Sequence, residues 1–408
     1  MASVKSSLPF LTASALGAAN TANAVRPVAR SGPLAMPSFI NGWLTSELPV
    51  QTIAWQAAAT AYTGVRHGFK SRPSRIALGL NLVSWAALVG LHVQARRADR
   101  IFAPALEAGL GDRLQRDPAA TEALTVAQVA RPFASGRDRY LAAADISYGE
   151  AGARNQLDIW RDPQLPRDGR APVLLQVHGG AWMTGNKRQQ GAPLMTEMCR
   201  RGWVCVAINY RLSPRATWPD HVVDVKRAIA WIRAHIHEYG GDPDDVSITG
   251  GSAGGHLSSL TALTANDPVF QPGFEDVDTT IRAAAPMYGV YDFCNRDGTA
   301  SPDLEGLLRK VVMKGDLSAH ADAWEAASPM ARITPEAPPF MVVHGTNDSL
   351  VPVEQARSFV TMLRAVSHEP VVYAELPGTQ HAFDVFASVR TIHTVRAIGD
   401  FLQSVGDR

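Results

Sequence analysis

Residues 247–260, SITGGSAGGHLSSL, set glycine pairs on either side of Ser252 and Ala253 and then run into a stretch of helical character. Glycine is a weak residue in both helix and strand, so four of them at one joint mark a backbone that passes close to something or bends unusually. The centre is a G-x-S-x-G, Gly250 to Gly254, placed after the apolar run VSIT and before a helix beginning near Ala253. A serine on a sharp strand-to-helix turn forms a nucleophile elbow. Positions two before and two after it are crowded and must lack a Cβ, and the following helix aims its free N–H groups at the serine. A glycine-rich turn with a capping serine is the plainer reading, and the rest of the chain decides between them.

From residue 144 the texture is that of an α/β sheet protein. The runs APVLLQV, WVCVAIN, VSIT, IRAAAPM and PFMVVHG are short and apolar, as strands buried on both faces are. Helical stretches alternate with them, most clearly DHVVDVKRAIAWIRAHIHEYGG at 220–241, which opens on Asp220 behind Pro219 and stops at a glycine pair. This alternation predicts a mostly parallel central sheet with helices on both faces. ADISYGE and NQLDIWR alternate apolar and polar residues, as a half-exposed hairpin does.

Sheets of this type hold ligands at the carboxyl ends of their strands. VHGGAWMTGNK begins at the end of the run 171–177 and puts Gly179 and Gly180 there. Their amides, with that of Ala253, are candidate donors to the oxyanion of a tetrahedral intermediate. His178 is read as structural, since the geometry that offers those amides turns its side chain from the serine. Asp348 follows the run 339–344 and His381 follows VVYAEL, so Ser252, Asp348 and His381 stand in the order nucleophile, acid, base. Singly, Asp348 reads as a turn former and His381 as a loop histidine. Jointly they point to acyl transfer through an acyl-enzyme, with Asp384, three residues after His381, as the alternative acid.

Other classes find little support. Lys plus Arg is 39 and Asp plus Glu 38, so the net charge of +1 excludes an electrostatic footprint for nucleic acid. His235 and His237 of HIHE point about 200° apart on a helix and cannot share a metal ion. Cys199, Cys205 and Cys294 have neither CxxC nor metal-ligand spacing, so neither a disulfide framework nor a metal site is expected.

Taken together, the HGG string, GGSAGGHLS and NYRLSPRATWPDHVVDVKRAIAWI resemble the α/β-hydrolase esterases of the hormone-sensitive-lipase-like class from His178 to the C-terminus. With the hydrophobic N-terminal extension, LTANDP and VPVEQARSFV, the chain is similar to membrane-associated lipase/esterase proteins of actinobacteria. The resemblance implies an α/β-hydrolase fold with a small cap, hydrolysis of carboxylic esters, no cofactor, and the triad already read. Ala181 and Gly251 depart from it, standing where the class has a third glycine and an acidic residue. An arylformamidase-like amidohydrolase and a membrane-tethered binding protein with a dead site are the alternative readings.

The extension divides the chain into a hydrophobic segment at 1–100, a helical linker or cap element at 101–143 and a catalytic domain at 144–408. Residues 76–95, IALGLNLVSWAALVGLHVQA, contain 14 apolar residues and 2 glycines out of 20 and no charge. They reach about 30 Å at a rise of about 1.5 Å per residue, the thickness of a bilayer core. The polar Asn81, Ser84, His92 and Gln94 also fit a buried helix of a soluble cap. Residues 8–25 and 48–65 are weaker spans, and the first also reads as a signal peptide, with Lys5 ahead and Ala22-Asn23-Ala24 as the cleavage site. Arg66, Lys70, Arg72 and Arg75 favour a cytoplasmic loop and hence a catalytic domain on the outer, cell-envelope side, although Arg96, Arg97 and Arg100 oppose it. Finally, LEGLLRKVVMKG at 304–315 carries the stripe Leu304, Leu307, Leu308, Val311 and Val312. The stripe is expected to roof the site and line an acyl channel, and packing on the core would produce the same pattern.

Overall fold

A computed structural model describes residues 7–406. Eight strands form one sheet: β1 (Leu141–Ser147), β2 (Gln156–Trp160), β3 (Ala171–Val177), β4 (Val204–Ile208), β5 (Gly241–Gly251), β6 (Ala284–Met287), β7 (Phe340–Gly345) and β8 (Val371–Leu376). Their order is β1-β2-β4-β3-β5-β6-β7-β8. The alternating segments pair as the expected antiparallel hairpin, β2 also runs antiparallel to β4, and every pairing from β4 to β8 is parallel. This is the α/β-hydrolase architecture.

Helices of eight or more residues are numbered in chain order. In the extension these are α1 (Leu8–Val25), α2 (Ala35–Glu47), α3 (Pro49–His67), α4 (Arg72–Arg96) and α5 (Asp99–Leu110). Among the strands lie α6 (Ala192–Arg200), α7 (Asp220–His235), α8 (Ala253–Leu263), α9 (Glu354–Val366) and α10 (Val389–Ser404). The period of two along each strand separates two cores. Val173, Leu175 and Val177 of β3 face the layer of α7, α8 and α9, which contributes Val225, Ile229, Leu257, Leu260 and Phe359. Leu174 faces the opposite layer, where α6 and α10 supply Met195, Met198, Ile398 and Phe401.

That second layer also contains α5, whose Phe102, Leu106 and Leu110 are buried in the same cluster. A Cβ on Gly109 would lie 2.6 Å from Val372 Cγ2, so this helix sits hard against β8. The first part of the stretch read as a linker is thus a structural layer of the hydrolase domain. In the insertion at 302–312, Leu304, Leu308 and Val312 are buried in the α7–α9 core, so these three residues of the stripe dock the segment on the domain.

The remaining N-terminal helices make a bundle of unusual polarity. Inside it Thr21 Oγ1 lies 2.8 Å from Ser84 Oγ, and Asn81 Nδ2 donates to Thr60 Oγ1 at 2.8 Å. Outside it Trp55 is 78% and Val65 87% exposed, with Leu16, Leu82 and Val83 also turned outward. Ser71 Oγ donates to Ser7 Oγ at 3.1 Å, which joins the starts of α1 and α4 at one end. Among the described residues one helical stretch, Arg72–Arg113, is long and apolar enough to cross a membrane. Lys5, invoked by the signal-peptide reading, lies outside the described residues.

At its other end the bundle joins the hydrolase domain through α2. Glu47, buried, accepts from Arg390 Nη1 and, at 2.7 Å, from Ser388 Oγ at the start of α10. Asn347 Nδ2 donates to the Val25 carbonyl at 2.9 Å, and the Gly32 amide to Asp303 Oδ2 at 2.6 Å. Removing one member of a buried ion pair strands the other charge and costs about 3–5 kcal/mol. Glu47→Ala is therefore expected to lower unfolding stability by about that amount, and Glu47→Ala/Arg390→Ala to recover part of the loss. Denaturant titration of the full chain in detergent measures both, and an unchanged midpoint in Glu47→Ala would contradict this role for the pair.

Candidate active site

Ser252 has φ 59° and ψ −123°, a conformation that L residues rarely adopt, at the junction of β5 and α8. The flanking glycines show why it is held there. A Cβ on Gly250 would lie 2.5 Å from the Gly254 carbonyl oxygen, and one on Gly254 would lie 2.2 Å from that of Val177. The Ser252 amide donates to the Met287 carbonyl at 3.0 Å, which ties the turn to the end of β6. Ser252 is half-buried at the head of α8, with the positive end of that helix directed at it.

Asp348 and His381 come together from the loops after β7 and β8. Asp348 Oδ2 lies 2.7 Å from His381 Nδ1, and both side chains are buried. The other carboxylate oxygen accepts the amides of Leu350 at 2.9 Å and Val351 at 2.8 Å, and His344 Nε2 lies 3.2 Å from Oδ2. Burial alone raises a carboxyl pKa, but here the charge of His381 and hydrogen bonds from His344 and His381 outweigh it and hold Asp348 well below the usual range. An ionised Asp348 fixes the proton on His381 Nδ1 and leaves Nε2 as the acceptor. Asp384 makes a different contact: its Oδ1 accepts from the Tyr288 hydroxyl.

The loop after β3 passes directly over the elbow. A Cβ on Gly179 would lie 2.6 Å from the Gly251 carbonyl oxygen and 3.1 Å from Ser252 Cβ. Gly180, Ala181 and Trp182 follow at φ 113°, 53° and 57°. The Gly179 amide donates to Gln190 Oε1 at 2.7 Å.

Two buried histidines hold this loop. His178 Nδ1 donates to the Gly179 carbonyl at 2.7 Å, and its ring stacks on Tyr210 with centroids 4.4 Å apart. His256 on α8 accepts from Trp182 Nε1 at 3.2 Å through Nδ1 and donates from Nε2 to the Ala327 carbonyl at 2.8 Å. Burial lowers the pKa of His178 to about 4 and of His256 to about 3, so both are neutral at pH 7. His178 thus has the structural surroundings expected of it. Gln190, His256 and Tyr288 had no motif to announce them.

The N-terminal extension reaches the same site. Phe39 of α2 approaches the His381 ring edge-on, with centroids 5.9 Å apart, and stacks on Trp43 at 5.9 Å. Trp43 in turn packs on Phe386 at 5.4 Å. Apolar surface beside the imidazole therefore comes from residues some 340 positions earlier in the chain.

A serine on a strained strand-to-helix turn, with a carboxylate–imidazole pair beyond β7 and β8, places the molecule among the α/β-hydrolases. Comparisons with known proteins narrow the class. The BD-FAE family profile matches residues 157–363. The chain is 51% identical to the probable carboxylic ester hydrolase LipM of Mycobacterium tuberculosis over 404 residues, covering 97% of this chain and 93% of that protein. It is 43% identical to esterase LipQ of the same organism over 397 residues, covering 95% and 89%. Esterase 2 of Thermogutta terrifontis, in a form phosphonylated by sarin, superposes with a TM-score of 0.52 at 26% identity, covering 59% of this chain and 86% of that one. A butyrate-bound form of that esterase gives 0.51. The chain belongs to this family of carboxylic ester hydrolases, the hormone-sensitive-lipase-like esterases of the α/β-hydrolase fold.

Gly254→Ala tests the local geometry. Its Cβ would collide with the Val177 carbonyl, and overpacking of this kind costs about 1–3 kcal/mol. Loss of thermal stability together with loss of esterase turnover is expected, and a fully stable, fully active variant would show that the elbow tolerates a Cβ there.

Proposed function

We propose that Ser252 is the nucleophile, His381 its general base and Asp348 the acid that orients and stabilises the imidazolium. The observations that carry this reading are the 2.7 Å Asp348–His381 contact and, on the strand-to-helix turn, a serine held at φ 59°. As Ser252 Oγ attacks the ester carbonyl, His381 Nε2 takes its proton and then delivers it to the departing alcohol. The developing oxyanion is held by the amides of Gly180 and Ala253, the second at the helix end. Water repeats the sequence on the acyl-enzyme. A short acyl group, like the butyrate of the Thermogutta esterase, lies against Phe39 and Trp43 in this reading.

Membrane attachment is the second part of the proposal. In water a helical bundle turns its apolar side chains inward, whereas α1, α3 and α4 pair hydroxyls and an amide inside and turn Leu16, Trp55, Val65 and Val83 outward. Lipid favours that inverted arrangement. Arg66, Lys70, Arg72 and Arg75 lie at the bundle end far from the hydrolase domain, so the positive-inside tendency puts that end in the cytoplasm and the catalytic domain on the outer side.

Ser252→Ala is expected to lose about 10⁴- to 10⁶-fold in kcat with the fold intact. Asp348→Asn is expected to lose several orders of magnitude, and Asp384→Asn far less. Turnover of a soluble butyrate ester, with fluorophosphonate labelling of the serine, reads all three. More than a few per cent of turnover in Ser252→Ala would remove the nucleophile assignment, and an Asp384 loss exceeding that of Asp348 would move the acid. Separately, the full chain is expected to stay with membranes through high-salt and carbonate washing, since salt screens charge-held contacts and leaves inserted helices in place. Release into the soluble fraction would defeat the anchoring proposal alone.

A further inference from the structure

One buried carboxylate near His381 has no part in the chemistry just described. Asp384 is 4% exposed, and its Oδ1 accepts from the hydroxyl of Tyr288, which is 2% exposed. Burying an anion costs free energy unless something uses or neutralises it. Tyr288 follows β6 with φ 38°, a conformation costly for an aromatic residue and kept only where the surroundings over-determine it. Its amide donates to the Val343 carbonyl at 2.8 Å, and the preceding carbonyl, that of Met287, takes the Ser252 amide. The strained residue is thus tied on one side to the strand leading to Asp348 and on the other to the nucleophile turn.

The side chain of Tyr288 occupies the space between the elbow and the base. A Cβ on Gly251 would lie 2.3 Å from the Tyr288 hydroxyl oxygen, so the glycine before the serine is what admits that hydroxyl. The phenol ring lies 4.6 Å from the His381 ring, inclined at 60°, and packs on Phe383 at 5.5 Å. Asp348 holds the imidazole at Nδ1, while Tyr288 packs against the ring. Burial first, then the charges of Asp384 and Asp348, push the Tyr288 phenol far above its ordinary range, so it remains a donor.

We propose that Tyr288 and Asp384 form a hydroxyl–carboxylate pair, additional to Asp348, that positions His381 and stabilises its protonated form during turnover. The Asp384 hydrogen bond fixes the Tyr288 ring, the ring braces the imidazole, and aromatic electron density with the carboxylate behind it favours the imidazolium. This rests on His381 being the base. The charged and titratable groups facing it are Asp348 from the loop after β7, with His344 of β7 behind it, and Tyr288 from the end of β6. Asp384 lies on its own segment, and the Glu47–Arg390 pair of α2 and α10 stands behind Asp384.

The test uses the full chain in detergent, p-nitrophenyl butyrate as substrate, and the variants Tyr288→Phe, Asp384→Asn, their combination, and Ser252→Ala. Removing a nearby anion disfavours the imidazolium, so the acid limb of kcat/KM is expected to move to lower pH by about half to one unit in Asp384→Asn. Tyr288→Phe is expected to move it the same way, because an undonated buried carboxyl takes up a proton. One unit is a tenfold change in the imidazole–imidazolium equilibrium, so the plateau kcat is expected to fall by at most about tenfold, with KM unchanged. The double variant is expected to add nothing to the larger single effect, as for groups acting as a unit. A purely structural role would lower activity or stability and leave the acid limb where it is, and that result overturns the proposal. So does full additivity in the double variant. Turnover by Ser252→Ala would instead bring down the nucleophile assignment, whereas an inactive Ser252→Ala with unmoved limbs in the other variants refutes only the role of Tyr288 and Asp384. Tyr288→Phe preserves the ring and Asp384→Asn preserves the acceptor, so each stands in for the other if one fails to fold.

Discussion

The left-handed backbone of Ser252 is the constraint to which the rest of the domain is fitted. Such a residue costs about 1–3 kcal/mol and persists only where its neighbours leave no alternative. Here the neighbours are main chain: the Val177 carbonyl beside Gly254, the Gly254 carbonyl beside Gly250, and the Met287 carbonyl on the Ser252 amide. Three parallel strands, β3, β5 and β6, thus converge on one turn. Their registers set the loops that carry Gly180 and Tyr288, so the strain at one residue also specifies where the polar groups around it stand.

Electrostatics then divides the buried polar groups by role. Asp348 receives two amides and two imidazole contacts and keeps its charge despite full burial. His178 and His256 receive no carboxylate, so desolvation wins and they serve as neutral hydrogen-bonding spacers for the loop from Gly179 to Trp182. The same residue type contacts a buried carboxylate at one position and props a backbone at two others. The difference lies in which neighbour pays the cost of burial.

The N-terminal helices belong to the hydrolase rather than hanging from it. The α5 helix completes one face of the sheet, Glu47 meets Arg390, and Phe39 stands beside His381. The thirteen residues of α2 carry both Glu47, which joins the bundle to α10, and Phe39, which stands beside His381.

What the sequence by itself determined is what depends on near neighbours in the chain. The glycine spacing around Ser252, the apolar runs of β3 to β8 and the alternating hairpin of β1 and β2 are local patterns, and local sterics and strand period make them readable. The order of Ser252, Asp348 and His381, each in a strand-end loop, was legible for the same reason. Contacts between distant segments were not. Nothing near Gly179 announces that Gln190 takes its amide, and nothing near Asp384 reveals that Tyr288, nearly a hundred positions earlier, donates to it. The stripe at 304–312 looks the same whether it roofs a site or seals a core, and α5 the same whether it links or packs, because amphipathic period records that a face is covered and not by what. Only the tertiary structure decided those partners, since hydrogen bonds and buried charges are satisfied by proximity in space.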